Sequence, residues 1–230
     1  MIKKPHVFLT SSLLLQGLLT IAQQTDSIEA APSKWKQYIL PSVLVSYGVT
    51  SICNSNLGRF NYDLKKMVCR KGAYTRTHVD NYIQYAPGVA VLGLSAAGIR
   101  GKSNLRDLSA TCLLSNVFLT TIVCSAKRQT HQQRPDQSAY NSFPSGHTAA
   151  AFAGAELLFE EYKDRSVLYG VAGYACAAAT GYFRMYNNRH SLSDVIAGAG
   201  VGIISTKLAY FTTGKLKNIV FKSKKVIRLA

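Results

Sequence analysis

Residues 187–205 read NNRHSLSDVIAGAGVGIIS, and the stretch changes character half-way. Its first half holds His190 and Asp194 four residues apart, beside Arg189 and just after Arg184. Its second half is apolar and rich in small residues, with Gly198, Gly200 and Gly202 in alternation. A helix beginning here places His190 and Asp194 on one face, one turn apart. The carboxylate can then hold one imidazole nitrogen and leave the other free to react. The small residues suit close contact with a neighbouring helix. Alone, a histidine and an aspartate at this spacing are more often a surface pair or a cap, so the reading depends on what lies upstream.

The chain has 230 residues, enough for one sizeable domain, and carries 27 Lys and Arg against 11 Asp and Glu, a formal net charge of +16. That balance calls for an anionic partner. A nucleic-acid surface needs basic residues interleaved with aromatics on one soluble face. Here long apolar segments separate the charges, which favours a membrane and a phosphate over nucleic acid. At the N-terminus Lys3 and Lys4 precede the uncharged apolar run Val7 to Ala22, and polar residues follow. This is the pattern of a secretory signal peptide; the competing reading is a first membrane anchor. The five cysteines do not form a disulfide framework. Cys112, Cys124 and Cys176 sit in apolar segments, whereas Cys53 and Cys69 flank a polar loop and are free to pair or not.

Further apolar stretches run over Tyr38–Cys53, Tyr82–Ile99, Leu108–Ala126, Thr148–Phe159, Ser166–Phe183 and Val195–Phe211. Most approach the minimum that spans a bilayer. Thr148–Phe159 contains one charge, Glu156, and Val195–Phe211 contains one, Lys207. There is no internal repeat and no strand-like alternation, so the expected fold is all-α, a membrane-embedded helical bundle. A soluble bundle with a wholly buried core is the alternative, since mean hydropathy is only +0.05. The short basic loop Arg100–Arg106 and the acid-free tail with Lys215, Lys217, Lys222, Lys224, Lys225 and Arg228 both belong in the cytoplasm by the positive-inside rule. Counting back from the tail puts Arg184–Asp194 and Lys127–His147 together on the outer side. The basic loop Asn54–Asn81 falls outside too, against the rule.

Three clusters share that outer side. The first is KRQTHQQRP, in which Lys127 is followed after six residues by Arg134 and Pro135. The second is PSGH, Pro144 to His147, and the third is FRMYNNRHSLSD, with Arg184, His190 and Asp194. In this order and at these spacings the combination resembles the type 2 phosphatidic acid phosphatase superfamily, whose pattern is K-x6-RP, PSGH and SR-x5-H-x3-D. The departure is Phe183, where that family usually has serine. The resemblance covers roughly Gln84 to Phe211. It implies a phosphatase core, a phosphohistidine intermediate, and lipid phosphates among the substrates.

The residues make chemical sense apart from the family. A phosphate monoester carries about two negative charges at pH 7. Lys127, Arg134 and Arg184 supply three cations, the arginines as forks and the lysine as a point charge. Ser145 and Gly146 open an apolar helix, so their amides are expected to face the anion. His190 is the candidate nucleophile, because Asp194 can fix its tautomer and stabilise its cation. His147 is then the general acid for the leaving oxygen and later the base for water. No cofactor and no metal site are expected, since the arginines take the role of a metal and no ligand spacing is present. Arg128 and Arg189 read as ordinary loop charges, and Asp136 as a turn cap.

The expected organisation is a signal peptide or N-terminal anchor at 1–22, an N-terminal segment with a short apolar helix and basic loop at 23–83, a phosphatase core at 84–212 and a basic cytoplasmic tail at 213–230. The expected function is metal-independent hydrolysis of a lipid phosphate: a lipid A phosphate, phosphatidylglycerol phosphate or undecaprenyl diphosphate. The expected place is the bacterial inner membrane, with the site facing the periplasm. A soluble periplasmic acid phosphatase, a vanadium haloperoxidase and a non-catalytic lipid-binding protein are the rivals. Oligomeric state is left open.

Overall fold

The structure, a computed structural model, describes residues 34–69 and 77–227. The expected signal segment at 1–22 and the basic residues Arg70, Lys71 and Arg76 lie outside the described residues. The chain divides into two compact units, Met1–Leu40 and Pro41–Ala230. Of the first, residues 34–40 are described and include a 3-10 turn at Lys34–Tyr38. The second carries every motif residue.

Every regular element among the described residues is helical, as the sequence predicts. In order these are α1 (Ile39–Cys53), α2 (Ser55–Val68), α3 (Val79–Ile83), α4 (Ala86–Ala96), α5 (Leu105–Thr130), α6 (Gly146–Tyr162), α7 (Val167–Tyr186) and α8 (Leu192–Ile227). The apolar stretch Tyr82–Ile99 is not one helix. It breaks between α3 and α4 at Gln84–Tyr85, and Pro87 falls in the first turn of α4, where its missing N–H costs no intrahelical bond. At eleven residues α4 is about 16 Å long, too short to cross a bilayer alone.

Helix α6 is the hub. Alanines 149, 151, 153 and 155, with Leu157 and Leu158, are buried on all its sides, as in a helix surrounded by others. It packs against α4, α5, α7 and α8. On α8 the approach is so close that a β-carbon at Gly198 would lie 2.6 Å from the Ser145 carbonyl oxygen, and one at Gly202 would clash with the Ala149 carbonyl. Helix α5 buries a stripe at helical spacing, Leu108, Thr111, Ser115, Leu119 and Val123. Its cap is Asn104, whose side chain accepts from the Asp107 amide at 2.9 Å. The opposite face of α5 is apolar and uncovered, with Leu113 69% and Val117 52% exposed. Among the described residues two helices, over Leu105–Thr130 and Leu192–Asn218, are long and apolar enough to cross a membrane.

The two lone charges of the apolar stretches find each other. Lys207 Nζ lies 2.5 Å from Glu156 Oε1 and 3.5 Å from Glu160 Oε1. The Tyr174 hydroxyl donates to the other Glu156 oxygen. A buried charge is tolerated when paired and hydrogen-bonded, so this knot ties α6, α7 and α8 together.

The bundle has two distinct ends. At one, the Lys102 amide donates to the Glu161 carbonyl at 3.0 Å, Arg165 donates to the Arg100 carbonyl at 3.0 Å, and Lys217 pairs with Asp107 at 2.5 Å. The basic loop at 100–106, the turn after α6 and the Lys217 region therefore meet there. The three motifs meet at the other end. Cys53 and Cys69 are free thiols, as are the other three cysteines.

Candidate active site

Four chain segments deliver the motif residues to one end of the bundle. Lys127 lies in the last turn of α5, which His131 closes in a left-handed conformation (φ 42°). Its ammonium donates to the Asn141 carbonyl in the following loop. Arg134 sits in a tight turn, its amide donating to the Ala139 carbonyl at 2.8 Å. Arg184 is in the last turn of α7 and is buried. Beyond it Asn188 takes a left-handed φ of 58°, a conformation asparagine tolerates. The chain so reversed lets the Arg189 and His190 amides both donate to the Arg184 carbonyl, at 3.0 and 3.3 Å. The turn thus links the arginine and the histidine of one motif.

His190 is 1% exposed. Its Nδ1 lies 3.6 Å from Asp194 Oδ2, an ion-pair distance, and 3.4 Å from the Ser142 hydroxyl. Ser142 donates to Asp194 Oδ2 at 2.6 Å, and the Ser191 amide donates to the same oxygen at 2.8 Å. Nδ1 therefore faces the carboxylate and Nε2 is the nitrogen left for chemistry. Burial holds the imidazole below its ordinary range, against the pull of Asp194, and the cations of Arg184 and Lys127 push the same way as burial. A neutral ring with an available Nε2 lone pair is the nucleophilic form.

His147, the second residue of α6, is half-buried. Burial, then the Arg184 cation, lower its imidazole from 6.5 to about 4, with Asp80 opposing. Its Nε2 lies 3.1 Å from Asn81 Oδ1, which as an acceptor puts the proton on Nε2. Ser145 differs from expectation. Its amide donates to the Asp194 carbonyl at 2.9 Å, so that N–H is already engaged. Its hydroxyl accepts from the Thr148 amide at 3.4 Å and lies 2.8 Å from the Thr148 hydroxyl. Ser145 is thus the N-cap of α6 and a tie to α8. Gly146 and His147 follow as the first helical residues, whose amides have no intrahelical carbonyl to reach.

The sequence reading missed Asp80, Asn81, Ser142 and Asn187. Asp80, 1% exposed, accepts from Arg184 Nη1 at 2.6 Å and from the Asn187 amide group at 2.9 Å. Asn187 also clamps Thr77, accepting from its amide at 3.0 Å and donating to its carbonyl at 2.9 Å. Asp80 and Asn81 lie in short α3, far from the motifs in sequence, while Ser142 and Asn187 lie beside and within the motifs, and no spacing pointed to any of the four. Arg189 is not an idle loop charge: it pairs with Asp136 at 3.0 Å and donates to the Ser138 hydroxyl at 3.1 Å. Asp136 also caps its turn, accepting from the Ser138 amide at 3.1 Å.

A helical bundle whose end gathers three cations around a histidine held by an aspartate defines the class: an all-α protein with one cation-rich end. Residues 109–217, just under half of the chain, match the model of the PAP2 superfamily, and the three motifs lie within or beside that stretch. It is 40% identical over 147 residues to a lipid A 1-phosphatase of Porphyromonas gingivalis. That match takes in 64% of this chain but 32% of that protein, so the chain spans about a third of this relative's length. Two solved structures share the fold. One is LpxE of Aquifex aeolicus, with TM-score 0.52 and 23% identity over 66% of this chain and 94% of that one. The other is a PAP2 type phosphatidylglycerolphosphate phosphatase of Bacillus subtilis, with TM-score 0.57 and 18% identity over 76% of this chain and 96% of that one.

Proposed function

We propose that this chain is a membrane-embedded phosphatase that hydrolyses a lipid phosphate through a phosphohistidine on His190, without a metal. The observation that carries the reading is a buried His190, its Nδ1 turned to Asp194 and Ser142, in the field of Lys127 and Arg184. The relative from Porphyromonas gingivalis makes a lipid A phosphate the first substrate to try. Phosphatidylglycerol phosphate and undecaprenyl diphosphate follow. The uncovered apolar face of α5 favours a membrane protein over a soluble periplasmic phosphatase. The end that carries the motifs is assigned to the periplasmic side of a bacterial inner membrane, because the opposite end gathers the basic loop and tail.

Lys127, Arg134 and Arg184 hold the phosphate oxygens, and the first amides of α6 add dipoles. His190 Nε2 attacks phosphorus, the bond to the lipid oxygen breaks, and that oxygen takes a proton from His147. Asp194 stabilises the positive ring that results. Water then attacks the phosphohistidine as His147 recovers the proton, releasing inorganic phosphate and neutral His190. His147, lowered to about 4, is neutral at pH 7. The bound phosphate brings about two negative charges, which offset the Arg184 cation and draw a proton onto His147.

The test is purified protein assayed against lipid A, phosphatidylglycerol and prenyl phosphates, with rapid-quench trapping of the enzyme. Wild type is expected to release phosphate and form an acid-labile phosphoenzyme, and His190→Ala to do neither. A phosphoenzyme in His190→Ala that vanished in His147→Ala would reverse the two roles.

A further inference from the structure

The turn that carries Arg134 is tied down at its base and at its tip. At the base the Ser142 amide donates to the Gln132 carbonyl at 2.9 Å, and the Arg134 amide to the Ala139 carbonyl at 2.8 Å. Ser142 also donates to Asp194 Oδ2 at 2.6 Å, which fixes this side of the loop to α8. The tip has a different tie. Gln137 takes a left-handed φ of 62° there, and its amide donates to the Arg134 carbonyl at 2.9 Å. Beside it Asp136 Oδ2 pairs with Arg189 Nη1 at 3.0 Å, and the same nitrogen donates to the Ser138 hydroxyl at 3.1 Å. Ser138 in turn donates to Asp136 Oδ1 at 2.7 Å. One guanidinium, on the residue before His190, thus grips two residues of the tip.

That grip works against a repulsion. Burial, then the cations of Arg184 and Arg189, hold the Arg134 guanidinium below its ordinary value, and Asp136 opposes them. Like charges so placed push the turn away from Arg184, and the Asp136 carboxylate draws it back. Arg189 is itself fixed at its root, since its amide donates to the Arg184 carbonyl at 3.0 Å. The ion pair therefore spans from the first motif to the third. Its Asp136 side chain is 5% exposed and its Arg189 side chain 29%. A partly exposed pair adds little to global stability, so its effect is expected in the geometry of the site it spans.

We infer that Arg189 and Asp136 are positioning residues, a latch that sets how far Arg134 stands from Arg184 and so how well the two forks close on one phosphate. The inference rests on the phosphatase reading, in which those two arginines hold the phosphate, and adds two residues that touch no reacting atom. Asp136→Asn removes the charge of the pair but keeps an Oδ1 acceptor for Ser138. Arg189→Gln removes the cation.

Orthovanadate affinity is measured by titration calorimetry on the purified protein, with kcat/KM on a lipid phosphate alongside. The panel is wild type, the two single variants, their double, and Arg189→Gln with and without Arg134→Lys. Each single variant is expected to weaken vanadate binding and kcat/KM about tenfold, the order of one charge-assisted hydrogen bond. The double is expected to lose no more than either single, because the pair acts as a unit. Lysine is a flexible point charge with no fork to align, so in the Arg134→Lys background Arg189→Gln is expected to cost less than about twofold. A full tenfold loss there would mean that Arg189 acts by a route other than Arg134, and would overturn the latch. Additive losses in the double, or single variants that bind vanadate as wild type does, would overturn it too. If wild type bound vanadate but cleaved no lipid phosphate, the phosphatase reading would fail while the binding series still decided the latch. A wild type that bound no vanadate would overturn both.

Discussion

At the scale of single residues, one carboxylate oxygen organises the site. Asp194 Oδ2 accepts from Ser142 and from the Ser191 amide, and faces His190 Nδ1. Two substitutions separate orientation from support. Asp194→Asn is expected to keep the fold and lower kcat by about 10⁴-fold, because a neutral amide favours the wrong tautomer. Ser142→Ala removes one bond to the carboxylate and is expected to cost about 10- to 100-fold. Comparable losses in the two would show that Ser142 itself sets the tautomer. The histidines also make stability depend on pH. Both native rings sit below the ordinary 6.5, His147 at about 4. Between about 4 and 6.5 the unfolded chain therefore binds more protons than the native one, so stability rises with pH there and falls as the solution is acidified. Melting curves across that window are expected to show this slope, and His147→Gln to flatten it. An unchanged slope in the variant would mean that His147 is not the group responsible. The motif residues were legible in the sequence because their chemistry demands fixed spacings. Ser142 was not, since it reaches Asp194 only through the loop that leads into α6.

At the scale of elements, close packing of α6 on α8 holds His147 and His190 in register. His147 begins one helix, and Asp194 lies in the first turn of the other. The Ser145–Asp194 backbone bond and the Gly198 contact join them. Gly198→Val would drive a side chain into the Ser145 carbonyl and part the helices. Such a misplacement near 1 Å is expected to cost about 10²-fold in kcat, with far-ultraviolet circular dichroism unchanged. Wild-type turnover in this variant would show that the spacing is not critical. The small residues of α8 were visible in the sequence as a contact surface, but not which helix they meet. Short α3 was hidden altogether. Five residues without a strong pattern carry Asp80 and Asn81 onto Arg184 and His147, and only long-range folding brings them there.

At the scale of the whole molecule, charge sorts the two ends of the bundle. The Arg100–Arg106 loop and the Lys217 region share one end, and the motifs share the other. A reporter fused after Lys225 is expected to be active only in the cytoplasm, and one inserted at Gln137 only outside. An inward Gln137 would overturn the topology and every periplasmic substrate proposed. The sequence by itself determined the helical class, the three motifs, and the pairing of His190 with Asp194. Hydrophobic periodicity, turn residues and one-turn spacing are local properties, readable along the chain. Tertiary structure alone decided that Glu156 meets Lys207, that Asp80 holds Arg184, and that Ser145 spends its amide on Asp194. Each of these joins residues 49 to 104 positions apart. Such contacts depend on how helices pack against one another, and no local pattern in the chain encodes them.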